Sequence, residues 1–88
     1  MTNQEFNEKY KNYLEKGWGG MEAGNSKLID WFDKLFTSIL IKENKDFKYQ
    51  QIKIKFGYVI FYSSLRRNQQ KIIESTANKV YNENNKNR

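Results

Sequence analysis

Asp30 and Asp33 stand three residues apart with Glu22 close by in the chain, and no other grouping is better placed for acid–base work. Two carboxyls can share a hydrolysis when a cleft gives them different environments and splits their pKa values. Both aspartates instead fall on the polar side of an amphipathic helix, and a chain of 88 residues offers no second lobe to form a cleft. They read as a solvated face. His and Cys are absent altogether, which removes zinc sites, haem ligation, disulfides and Cys or Ser–His nucleophiles together. No side chain of ordinary near-neutral pKa is left to act as a general base. The expectation is a protein that is not an enzyme and that holds neither metal nor cofactor.

Binding chemistry is better supplied. Lys53 and Lys55 share one face of a predicted strand, and Arg66, Arg67 and Lys71 occupy the first two turns of the helix expected after it. Five convergent cations would hold a phosphate backbone with little sequence preference and steep salt dependence, or an acidic protein surface. Tyr58 and Tyr62 are placed to stack bases beside them. Trp18 either closes the core or, if exposed, serves as an interface anchor. Its setting, Gly17-Trp18-Gly19-Gly20, lacks the Gly-Lys-Ser/Thr and the preceding strand of a phosphate cradle, so it reads as a helix stop. The plainer reading of the charge is solubility, since +6 is usual for a small domain. Asn, Lys, Ile, Tyr and Phe, residues of AT-rich codons, also make up half the chain.

Two resemblances bear on this. Phe56-Gly57-Tyr58-Val59-Ile60-Phe61 resembles the aromatic RNP1 strand of RNA-recognition motifs, but Ile54 and Lys55 depart from that pattern. That domain also needs a strand before its first helix, whereas this chain opens with two helices. The run Gln51-Ile52-Lys53-Ile54-Lys55-Phe56-Gly57, with Phe61-Tyr62 and the upstream Gly17-Trp18, Leu28, Trp31, Phe32 and Leu35, is similar to short phage and bacterial proteins. Those carry a Gln-Ile/Val-Lys-x-Lys-Phe-Gly-x-x-x-Phe-Tyr segment, and their Cys-containing tail is missing here. The resemblance implies a phage or mobile-element accessory protein. In that setting the expected partner is a host defence effector such as an RNA-guided CRISPR nuclease, blocked in the manner of anti-CRISPR proteins. The alternative is a small basic RNA- or DNA-binding module.

The elements that must position these residues follow from periodicity. Phe6, Tyr10, Tyr13 and Leu14 make one stripe of a helix from Asn3 to about Lys16, which the Gly-rich run stops. Asn25 or Ser26 caps a second helix to about Ile41, with Leu28, Trp31, Phe32, Leu35, Phe36 and Ile39 at helical spacing. Ile52, Ile54 and Phe56 then alternate with Gln51, Lys53 and Lys55, the two-residue period of a half-buried strand. Tyr58 to Tyr62 continues in strand-forming residues, either as a hairpin turning over Lys55 to Tyr58 or as one strand bulged at Gly57. From Ser64 a third helix follows, with Leu65, Ile72, Ile73, Thr76, Ala77, Val80 and Tyr81 on one face.

The result is an α+β single domain over residues 1–88, helix-helix-β-hairpin-helix (ααββα), with an ordered core at 3–81 and a frayed tail at 82–88. Two strands make no stable sheet alone, so the hairpin lies on the helices or a partner extends it. Its edge is then either a docking strand or covered. Aromatics are 16% of the chain and supply much buried area in a domain near the lower size limit. No apolar run approaches the ~20 residues of a membrane span, and Met1 to Glu5 lack the basic and apolar regions of a signal peptide. A bacterial cytoplasmic location with no membrane contact is the expectation.

Overall fold

Thr2 opens the first helix with a reciprocal cap. Its hydroxyl accepts the Glu5 N–H at 3.1 Å, and its own N–H donates to the Glu5 carboxylate at 2.9 Å. In the computed structural model, which describes the backbone of residues 1–86 and the side chains of 1–83 except Ile39, this helix, α1, spans Asn3–Lys9. It stops well short of Lys16. Lys11–Tyr13 tighten into a 3-10 turn, after which Leu14 bridges to Tyr49 and the Glu15 N–H donates to the Tyr49 carbonyl at 2.9 Å. The sheet takes the backbone that a longer helix would have used.

Asn25 caps the second helix, accepting the Leu28 N–H at 3.0 Å. It runs as α2 (Ser26–Leu35), widens into a π-helical turn at Phe36–Leu40 and ends as α3 (Ile41–Glu43). Leu28, Ile29, Phe32, Phe36 and Leu40 are buried along it, while Ile39 lies outside the described residues.

The two-residue period appears as β2 (Tyr49–Lys55), paired antiparallel with β3 (Tyr58–Ser63). Phe56 and Gly57 connect them with φ of +53° and +80°. Two left-handed residues in a two-residue loop are the signature of a type I′ hairpin turn, so the chain reverses at Gly57 instead of bulging there. The register shift falls at the other end of β2, between Tyr49 and Gln51. A third strand, β1 (Gly20–Met21), pairs parallel with β2 and gives the order β1-β2-β3.

The last helix, α4 (Arg67–Lys86), starts three residues later than expected and stays helical past Asn82; residues 87–88 lie outside the described residues. It presents two stripes. Ala77 is buried, with Ile73, Val80 and Tyr81 packed against the core, while Gln70, Glu74 and Asn78 turn to the edge of β3. Ile72, expected on the buried face, is two-thirds exposed, because five residues before Ala77 it stands ~140° around the helix from it.

The core lies between the helices and the inner face of the sheet. Phe36 sits at its centre, with ring centroids 5.1–5.3 Å from Phe6, Tyr10, Phe47 and Tyr49, mostly edge to face. Among the described residues no buried side-chain polar atom lacks a partner. No helix among them is long and apolar enough to cross a membrane.

Candidate functional site

Strand alternation sorts the hairpin into two faces. Ile52 and Ile54 pair with Phe61 and Val59 and face the core, so their neighbours face away from it. The outer face therefore sets Lys53 opposite Ile60, Lys55 opposite Tyr58 and Gln51 opposite Tyr62. Tyr58 is 66% exposed and Tyr62 43%.

Helix α4 extends this face past β3. Ile60, Tyr62, Arg67, Gln70, Lys71 and Glu74 line one groove of about 380 Å³, which brings Arg67 and Lys71 beside Tyr62. The Glu74 carboxylate in this groove already accepts the Phe61 N–H at 2.9 Å. Gln51, at the opposite side, donates to Glu22 at 3.0 Å.

Four of the five predicted cations thus share one surface, and Arg66 does not. Arg66 and Arg67 are adjacent at a helix start, where successive residues point ~100° apart. Arg66 instead lines a separate dent with Asn44, Asp46 and Ser64, on the side of the loop between α3 and β2. Trp18 is 45% exposed and outside the core cluster, in the loop entering β1. It lies at the opposite edge of the sheet from α4, so it joins neither the core nor the groove.

One exposed aromatic is absent from the expected contact residues. Phe56, which alternation with Ile52 and Ile54 put on the half-buried strand face and the hairpin reading put in the turn, is at the apex and is 88% exposed. Its left-handed backbone costs roughly 1–2 kcal/mol for an L-residue without a hydrogen-bonding side chain. The Lys55 ammonium lies 5.6 Å from the centre of its ring, which attaches it to the outer face. Strain at an exposed aromatic adds nothing to folding and makes Phe56 a candidate for contact.

A second signal lies in plain sight in the sequence. Residues 47–73 hold six of the sixteen cations and none of the ten acids, so this stretch alone accounts for the whole net charge of +6. The sixth, Lys48, donates to the Asn12 carbonyl at 2.7 Å, away from the groove. Among the described residues, the salt bridges are Met1–Asp30, Lys9–Asp33 and Lys11–Glu8. None involves the cations of the hairpin or of α4.

Side chains cap the edge of β3 and the outer edge of β1. Asn78 accepts the Val59 N–H at 2.8 Å and donates to the Val59 carbonyl at 3.1 Å. Phe61 and Ser63 donate to Glu74 and Gln70 at 2.9 and 2.8 Å. At the other edge Asn7 accepts the Met21 N–H at 2.8 Å and donates to the Met21 carbonyl at 3.0 Å. Of the two expectations for the hairpin edge, the covered one holds along β3, while β1 covers β2 only at Gln51 and Ile52.

The remaining candidates are structural. Asp30 meets the N-terminal ammonium at 2.9 Å, and Asp33 is held by Lys9 at 2.8 Å and by the Tyr10 hydroxyl. Burial opposes ionisation of Asp33, but the bonds from Lys9 and Tyr10 prevail and hold its carboxyl below the usual carboxylate range, the reverse of a general acid. The glycine run ends in Gly20, at φ +73°, where an added Cβ would stand 2.5 Å from the Asn7 carboxamide oxygen. Close approach of α1, not a phosphate, explains it.

No family model, curated protein or solved structure matches the chain.

Proposed function

We propose that the protein acts by binding and not by catalysis: a phage or mobile-element inhibitor that seats the outer face of its sheet on a host defence effector, an RNA-guided CRISPR nuclease. The observation that carries this reading is the gathering of Lys53, Lys55, Arg67 and Lys71 around the exposed Phe56, Tyr58 and Tyr62. Aromatics and Arg are the residues that dominate binding energy at interfaces, and clustered cations select a negatively charged partner. Such an effector presents negative charge both as bound RNA and as acidic protein surface. The likeness of the Gln51–Tyr62 segment to short phage proteins supports the same setting.

The test is DNA cleavage by a purified, guide-loaded CRISPR nuclease of the bacterial host with increasing amounts of the protein. Cleavage should fall with dose. Combined Lys53→Glu, Lys55→Glu and Arg67→Glu should abolish the effect, whereas Arg66→Glu, on the other side of α4, should leave it. Cleavage that persists at large molar excess of the wild-type protein would overturn the reading.

A further inference from the structure

The outer face combines two properties that seldom coincide: it is aromatic and basic. Tyr58 and Tyr62 project from the same side of one strand four residues apart, about 13 Å at the usual strand rise. That is roughly four times the 3.4 Å step of a stacked strand, so adjacent stacked bases cannot occupy both rings. A strand whose bases are splayed apart can reach both. Half-buried Ile60 lies between them as an apolar floor, with Lys53 opposite it and Lys55 opposite Tyr58. Arg67 and Lys71 stand beside Tyr62 at the α4 end. The aromatic positions are thus interleaved with cations along one line, from Phe56 at the apex to the start of α4.

We propose that this face takes a short single-stranded nucleic acid, with bases on Tyr58 and Tyr62 and phosphates on Lys53, Lys55, Arg67 and Lys71. The proposal rests on the reading of this face as the contact surface and names the part of the effector it touches: the RNA strand. Duplexes fit less well, because bases held in pairs cannot stack on the rings. Phe56 ends the row, where its strained backbone holds a ring clear of the fold for a further base. Glu74 and Glu22 border the row and limit it to the cations between them.

The test uses the full chain and labelled oligouridine and oligothymidine of about twelve nucleotides, with a duplex of the same length, read by fluorescence anisotropy over a salt series. Both single strands should bind, the duplex more weakly, with a log–log salt slope near −3 for four phosphate contacts at about 0.7 each. Tyr58→Ala and Tyr62→Ala should each weaken single-strand binding by about fivefold or more, and the corresponding Phe variants should restore it. Arg67→Ala should flatten the slope by about 0.7, whereas Arg66→Ala should not.

Absence of single-strand binding at low salt overturns the proposal, as does binding that is indifferent to the tyrosines and equal on duplex. Inhibition of the nuclease without oligonucleotide binding removes this inference and keeps the inhibitor reading. Oligonucleotide binding without inhibition does the opposite.

Discussion

Asn78 and Val59 are joined as residues of neighbouring strands are joined, although one is on a helix: the carboxamide accepts the Val59 N–H at 2.8 Å and donates to its carbonyl at 3.1 Å. Asn7 does the same for Met21 at the other edge. Along β3 the contacts repeat, because four helical residues advance ~6 Å and two strand residues ~6.7 Å. Gln70, Glu74 and Asn78 therefore meet Ser63, Phe61 and Val59 in turn. Asn78→Ala should cost about 2 kcal/mol in denaturant unfolding, since it leaves a half-buried donor and acceptor unmet. Asn78→Asp should also destabilise, because a carboxylate can accept from Val59 but cannot donate to its carbonyl. An unchanged midpoint in both would mean that water replaces the side chain.

Phe56 separates stability from contact. Asn tolerates the left-handed region that Phe56 is forced into, so Phe56→Asn should stabilise the fold by about 1 kcal/mol. For a domain of this size that raises the melting temperature by ~4–8 °C. A more stable variant that inhibits less well is the expected combination, and thermal melts with the cleavage assay check both halves.

How far these features are legible in the sequence depends on whether they repeat. The helical spacing of Leu28, Phe32 and Phe36 and the alternation of Ile52 and Ile54 with lysines reach the fold directly, as does the hairpin. A two-residue strand has no period, so Gly20–Met21 looks like loop until β2 lies beside it. The edge contacts of Asn7 and Asn78 are equally silent, because a carboxamide on a helix is ordinary until a strand's free N–H stands near it. Arg66 and Arg67 look equivalent as neighbours, and only the start of α4 at Arg67 tells them apart. The acid-free stretch at 47–73 points to the basic surface more sharply than the cations taken singly.

Core and surface aromatics should respond differently to truncation. Phe36 packs against the rings of Phe6, Tyr10, Phe32, Phe47 and Tyr49, so Phe36→Ala should cost ~3–5 kcal/mol, enough to unfold a small domain. Trp18→Ala, half-exposed and outside the core, should cost about 1 kcal/mol or less. Circular dichroism melts of the two variants decide the matter, and a large loss at Trp18 would return it to the core.

Alkaline pH should weaken the fold through Tyr49. Burial pushes its phenol up to about 12, with the Tyr10 phenol adding to the effect. In the unfolded chain a tyrosine ionises near ~10. Between those values the unfolded state gives up its proton while the folded state keeps it, so stability is complete below about pH 10 and falls as pH rises toward 12. A shift of this size corresponds to roughly 2–3 kcal/mol. Tyr49→Phe should lose the hydroxyl's bond to Asn7 at 2.9 Å and be less stable at neutral pH. It should also show a shallower decline above pH 10, and the decline left over belongs to Tyr10, whose phenol is raised by burial and by its bond to Asp33, and to Lys9, whose ammonium is raised by its bond to the same carboxylate. Denaturant midpoints at stepped alkaline pH measure both slopes, and equal slopes in wild type and variant would remove Tyr49 from the cause.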